Sequence, residues 1–207
     1  MSLRRILPLA TLALTLALPS LRSQQILTLR GELDEGRSTG CYYCPNVPYT
    51  VKFSETPVRS STVNLAFYKA QSSQLVLTGV WETSTTPPGL NVLSVQVTTN
   101  SLTFPTNART GNTERFTTHA EVGAFAATVI SIGSGFVPLF DTALLLNPAV
   151  LVVMDAGVTN AQGDFRIDFN MPSDPALIGA RFWSQSVIVP PTGTPYTSNP
   201  GRTFIDR

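Results

Sequence analysis

The sequence predicts an all-β chain of two small domains, and three observations carry that. Beyond residue 25 no segment keeps a 3.6-residue apolar period. Short runs of β-branched and aromatic residues recur instead, divided by clusters of Gly, Pro, Asn, Ser and Thr. The composition is that of a chain that folds: 43% of the 207 residues are hydrophobic and 13% are charged, which excludes disorder.

The chain opens with Arg4 and Arg5 and then an apolar run over 6–18, broken by Pro8 and small Thr residues and closed by Pro19. A basic start before such a run reads as a secretory signal over 1–23. The run is too short for a membrane span, which takes about 20 apolar residues. Ser23 is one candidate cleavage position, Ala17 with Thr15 the alternative. Removing 1–23 takes away Arg4, Arg5 and Arg22 and no acid, so 14 basic residues become 11 against 13 acidic, a net charge of −2. The first cysteine is Cys41, so no lipid-anchor cysteine follows the run. The expected address is exported, periplasmic or extracellular, with no membrane span.

In the first half the predicted strands are 26–33, 49–55, 63–68, 75–82 and 90–98. The fourth and fifth alternate in part, as half-buried strands do. The stretch 105–113 holds Pro105, Asn107, Gly111 and Asn112 with little apolar content, and it divides the chain into 24–104 and 114–207. In the second half the predicted strands are 117–120, 124–132, 143–146, 150–154, 164–170 and 181–189. Turns fall at 133–135, 157–163, 172–175 and 190–193. The apolar run 143–154 is interrupted by Asn147 and Pro148, so it reads as one or two buried strands. Short strands at this spacing suggest a sandwich or barrel.

Two resemblances sharpen the fold. Leu29-Arg30-Gly31-Glu32-Leu33 as an opening strand, 75–81 with Gly79 inside it, and 90–97 as a closing strand resemble an OB-type barrel. A glycine within a strand permits the bend a small barrel needs. In the second half, Met171-Pro172-Ser173-Asp174-Pro175-Ala176-Leu177-Ile178-Gly179 precedes Arg181-Phe182-Trp183-Ser184-Gln185, and Thr197-Ser198-Asn199-Pro200 comes later. This is similar to the closing segment of a β-sandwich module of exported bacterial proteins. That module reads as a Pro-bounded loop, Leu-x-Gly, an aromatic strand ending in Gln, a Ser-Asn turn and a last strand. The implied architecture is a small OB-like barrel followed by a β-sandwich, in an exported protein; the resemblance implies no activity.

The sharpest local feature is Gly40-Cys41-Tyr42-Tyr43-Cys44-Pro45. A thioredoxin-like Cys-x-x-Cys needs a helix after it, and Pro45, Asn46 and Pro48 make a loop. A zinc site needs more ligands than His119 can add. In an oxidising compartment the pair reads as a local disulfide between Cys41 and Cys44. Tyr42 and Tyr43 are adjacent, so one points outward on an extended chain, and that pair is the candidate contact surface. The other aromatics, Tyr49, Tyr68, Trp81, Trp183 and Tyr196, read chiefly as packing.

Catalytic and metal readings are weighed and set aside. Asp155, Asp164 and Asp168 with Asn160 and Gln162 invite a Ca²⁺ site, but their spacing follows no Ca²⁺ loop. His119 is the one imidazole. A triad with Ser131 or Ser134 and Asp141 can be imagined, but Gly133-Ser134-Gly135 lacks the spacing of a nucleophile elbow. Glu32, Glu55, Glu82 and Asp141 are available for glycoside chemistry, at unknown separations. The near-neutral charge argues against nucleic acid. The reading is an exported non-catalytic binding or surface-structural module, without catalytic residue, metal or cofactor, that meets carbohydrate or protein at the cell surface. The alternative is a small secreted hydrolase acting on polysaccharide.

Overall fold

The computed structural model describes residues 25–36 and 47–207. The chain is all-β, a barrel followed by a sandwich. The signal-like segment 1–23, Cys41, Cys44, Tyr42 and Tyr43 lie outside the described residues.

The barrel is built from β1 (Ile26–Gly31), β2 (Leu33–Glu35), β3 (Tyr49–Val51), β4 (Thr56–Arg59), β5 (Leu75–Glu82) and β6 (Gly89–Val97), with α1 (Leu65–Ala70) between β4 and β5. Neighbours run β1-β5-β6-β4-β3-β2, with the β4–β6 pair parallel and the rest antiparallel. Since β2 continues β1, that path returns to its own first strand. This is the closed, OB-like arrangement, with one bent strand serving both ends. Gly31, at φ 153°, makes the bend, and a Cβ there would lie 2.7 Å from Val51 Cγ1. Gly79 sits at the register shift between β5 and β6, where a Cβ would collide with the Asn91 carbonyl. Leu27, Leu29, Leu75, Leu77, Leu90 and Val92 fill the interior.

One predicted strand, 63–68, is instead the helix α1. Asn64 caps it by accepting a hydrogen bond from the Phe67 amide at 3.4 Å. Ala66, Lys69 and Ala70 are good helix formers, and the buried Leu65 and partly buried Tyr68, three apart, face the barrel core together. The β-branched and aromatic content of 63–68 suggested a strand, and the cap overrides it.

The sandwich uses β7 (Ser101–Thr103), β8 (Asn107–Arg109), β9 (Thr113–His119), β10 (Phe125–Ser131), β13 (Val152–Val158), β14 (Asp164–Asn170), β15 (Arg181–Val189), β16 (Tyr196–Thr197) and β17 (Gly201–Asp206). One sheet runs β13-β10-β15-β17-β8 with β16 against β15, and the other runs β14-β9-β7. Leu102, Phe116 and Ile167 pack between them with Phe104, Met154 and Phe182.

The remaining hairpin, β11 (Ser134–Leu139) and β12 (Thr142–Leu146), leaves the sandwich and joins the barrel. β12 pairs with β1 in parallel at Thr28 and Thr142. Ala143 and Leu145 enter the barrel core, and Phe136 stacks on Trp81 with ring centroids 3.8 Å apart. The stretch 105–113 carries β8, paired with β17. The chain is therefore ordered as two halves in sequence, while its packing crosses the 105–113 division.

The apolar run 143–154 splits. Residues 143–146 are buried, but Val150, Leu151, Val152 and Val153 are 39%, 39%, 51% and 60% exposed. β13 is the outer strand of its sheet, and Met154 is the member of this run that reaches the sandwich core. Among the described residues no helix is long and apolar enough to cross a membrane.

Barrel and sandwich meet at a buried polar seam. The Gln185 side chain, fully buried, accepts from the Leu145 amide at 2.7 Å and donates to the Ser198 carbonyl at 2.8 Å. Thr197 and Thr142 share a hydroxyl bond of 2.9 Å. Asn199 treats β7 as a neighbouring strand would, accepting from the Leu102 amide at 2.6 Å and donating to the Leu102 carbonyl at 3.1 Å. Gln185→Leu strips two buried backbone groups of their partner, so it should cost about 2 to 4 kcal/mol. Urea unfolding should show a lowered midpoint, while Ser73→Ala on the surface should leave it in place.

Candidate functional site

Two adjoining cavities, of about 320 and 260 Å³, share Lys52 and Phe53 in their walls. Both residues stand on the four-residue turn between β3 and β4, which contains no glycine. Phe53 and Glu55 nonetheless take φ of 69° and 61°. Non-glycine residues hold such angles only where surrounding contacts impose them. Here Ser54, buried, bonds the Val51 carbonyl at 3.1 Å and the Thr56 hydroxyl at 2.9 Å. The Trp183 indole, from the sandwich, donates to the Phe53 carbonyl at 2.8 Å. The Phe53 ring meets Phe104 edge-on at 5.4 Å, with Arg202 5.7 Å and Lys52 5.2 Å from its centroid.

The larger cavity is walled by β2, β3 and the turn after it, and by the ends of two loops. Glu35 ends β2, Val47 lies just before β3, and Pro87 belongs to the loop between β5 and β6. Arg59 fixes that second loop, donating to Thr85 Oγ1 at 3.0 Å and to the Pro87 carbonyl at 2.9 Å. Asp34, Glu35 and Glu55 bring carboxylates to the wall; Lys52 and Arg202 bring cations. Lys52 also pairs with Glu32 at 2.6 Å, and Gln74 donates to the other Glu32 oxygen at 3.1 Å. The smaller cavity continues past Phe53 to Leu102, Thr103, Phe104 and Pro200 along the edge of β7.

The sequence-based candidates are distributed as follows. Tyr42, Tyr43, Cys41 and Cys44 lie outside the described residues; Glu35 and Val47, which precede and follow that stretch in sequence, line the larger cavity. Trp81 is barrel core. Tyr196 is buried, with its hydroxyl donating to Glu121 at 2.5 Å and accepting from Asn100 at 3.0 Å. Burial first, and the Glu121 carboxylate second, push that hydroxyl well above the usual tyrosine range. Phe53 was not among the candidates. The signal for it is modest: an aromatic inside a turn that lacks glycine.

The acids weighed for Ca²⁺ have separate partners. Asp168 pairs with Arg115 at 2.7 Å, and Asp155 accepts from the next backbone amide at 2.8 Å. Among the described residues no three His, Cys, Asp or Glu side chains are placed to hold a metal. Glu82 accepts from Asn91 at 2.8 Å, away from Glu32 on Lys52. Ser131 is bonded to the Asn147 carbonyl at 3.0 Å rather than to His119. The partners of His119 are instead Asp164, 2.8 Å from Nδ1, and Thr103, whose Oγ1 lies 3.1 Å from Nε2. Asp164 also accepts from Arg166 at 2.8 Å.

Comparison with known proteins finds no matching family model, no matching curated protein and no matching solved structure.

The Arg166 and His119 bonds hold the Asp164 carboxyl below the usual carboxylate range, and Arg115 does the same for Asp168. A depressed folded-state pKa contributes stability above the unfolded value and loses it as pH falls through the folded one. The protein should therefore lose stability as pH drops below about 4. An Asp164→Asn, Asp168→Asn double variant should show a shallower acid slope in denaturant midpoints. An acid slope identical to the parent's would contradict this.

Proposed function

We propose that the chain is an exported binding module that holds an oligosaccharide at the cell surface, in the cleft beside Phe53. The observation that carries this is the placement of Phe53. It stands at the shared wall of two cavities, on a turn held by Ser54 and Trp183, with its ring beside two cations. OB-type barrels bind oligonucleotides and oligosaccharides on this strand face and through the loops bordering it. The three carboxylates on the wall disfavour a phosphate backbone. Carboxylates and cations around an apolar ring suit sugar hydroxyls and the apolar face of a pyranose.

Tyr42 and Tyr43 extend the contact surface in this reading, because Glu35 and Val47, which precede and follow them in sequence, border the cleft. A Cys41–Cys44 bridge would fix them there. The basic N-terminus, the apolar run 6–18 and the resemblance of 171–200 to exported modules support the address. For the polysaccharide-hydrolase alternative, Glu32 and Glu82 serve separate partners, while Glu55 shares the cleft wall with Asp34 and Glu35.

Two measurements test this. N-terminal sequencing of protein from the native host should begin between about residues 18 and 25, and the unreduced protein should have no free thiol. An intact Met1 in the cytoplasm would sink the export reading. A glycan array followed by titration should yield an oligosaccharide ligand whose affinity drops about tenfold or more in Phe53→Ala. Unchanged affinity in that variant, or binding confined to single-stranded nucleic acid, refutes the cleft assignment.

A further inference from the structure

We propose that Thr103, His119 and Asp164 form a nucleophilic acyl-transfer site that cleaves a short-chain ester. This goes beyond the binding reading and does not rest on it. The three residues come from three adjacent strands of one sheet, β7, β9 and β14, and their side chains share its outward face. In strand register Asp164 lies opposite His119, and Ser101 lies opposite His119 on the other side, which places Thr103 on the neighbouring diagonal. An ionised carboxylate only accepts hydrogen bonds, so His119 Nδ1 donates to Asp164. In neutral imidazole that leaves Nε2 to accept, and the hydroxyl 3.1 Å away is Thr103 Oγ1. The result is the hydroxyl–imidazole–carboxylate order of a nucleophilic triad, which is recognised by geometry and roles rather than by sequence position.

The supporting contacts are those such a unit uses. Asp164 has a side chain only 13% exposed and is fixed by Arg166 at 2.8 Å, so the imidazole is oriented by a group that is itself held. The β-branch of threonine restricts χ1 and keeps Oγ1 toward the ring. Thr103 is exposed, and the smaller cavity begins at it, with Leu102, Phe104 and Pro200 as an apolar wall. A cavity of about 260 Å³ suits a short acyl group. The Leu102 amide points to the free edge of β7, where Asn199 takes it. The amide of Phe104, the residue directly after β7, is the donor proposed for the developing oxyanion.

The step balances. Thr103 Oγ1 bonds to the ester carbonyl carbon as its proton passes to His119 Nε2. The carbon–oxygen bond to the alcohol breaks, and the alcohol leaves with that proton. Water then attacks the acyl-threonine, gives its proton to His119, and the acid departs as Thr103 recovers its own. Thr103 and His119 are the catalytic residues, and Asp164 is a positioning residue.

The test uses the full chain with p-nitrophenyl acetate and p-nitrophenyl butyrate. A burst of nitrophenolate should precede a slower steady state, and peptide mapping after acid quench should find the acyl group on Thr103. Thr103→Val and His119→Gln should lower the rate by about a hundredfold or more, and Thr103→Ser should retain it. Asp164→Asn should lower kcat and alter the rate–pH profile while leaving KM near the parent's, which a merely structural role would not do. Should Thr103→Val fail to fold, the acyl map of the parent decides alone. A Thr103→Val rate within about twofold of the parent, or acyl groups on lysines and none on Thr103, overturns the proposal. Oligosaccharide binding at Phe53 is read separately, so failure of either leaves the other standing.

Discussion

Everything in this molecule depends on a seam of buried side-chain amides and hydroxyls between barrel and sandwich. Gln185, Thr197, Ser198 and Asn199 are almost wholly shielded from water; Gln185 and Thr197 bond across to β12, while Ser198 and Asn199 brace them from inside the sandwich, on β15 and β7. Buried polar groups are costly alone and stabilising when every member is satisfied. A second cluster inside the sandwich, Thr118, Thr128 and Ser186, obeys the same rule with hydroxyl contacts of 2.7 to 3.4 Å. The seam tolerates one mutual geometry, because an apolar interface can slide and a directional one cannot. Among the described residues the Ser184 hydroxyl and Arg30 Nε are buried without a hydrogen-bond partner.

That fixed geometry is what makes the cleft. The turn carrying Phe53 is part of the barrel, yet the Trp183 indole and the Phe104 ring that define its position come from the other half. Hairpin β11–β12 ties the same two bodies a second time, with Phe136 stacked on Trp81 of the barrel and the Leu145 amide bonded to Gln185 of the sandwich. The halves therefore hold each other at two places, one supplying the barrel with core and the other presenting an aromatic ring to solvent.

Much of the architecture was legible in the sequence, for physical reasons visible in particular segments. Residues 75–82, 164–170 and 181–189 are strands with the expected bounds, because their β-branched and aromatic content lies between firm turn signals. Gly31 and Gly79 mark the bend and the register shift that a small barrel needs. Among the missed strands are three whose local chemistry argues against them: β4 contains Pro57, β11 begins at Ser134-Gly135 and contains Pro138, and β8 has three residues in a polar stretch. Tertiary pairing made them strands. The hairpin crossing from one half into the other was illegible, since nothing local in 134–146 says which sheet it joins. A His119 triad with Ser131 or Ser134 and Asp141 was weighed and set aside; the neighbours it does have, Thr103 and Asp164, come from strands whose register no spacing reveals.

Asn199 has a consequence for how the protein behaves among its own kind. β7 lies at the outer edge of its sheet, with backbone groups turned outward that could template a foreign strand. The Asn199 amide occupies the middle of that edge as a one-residue counterfeit strand, presenting one donor and one acceptor where a peptide would. One edge of a three-stranded sheet is thus terminated by a side chain. Stoppering this edge leaves no room for a further strand to pair beside β7, while β13 and β14 remain the outer strands of their sheets.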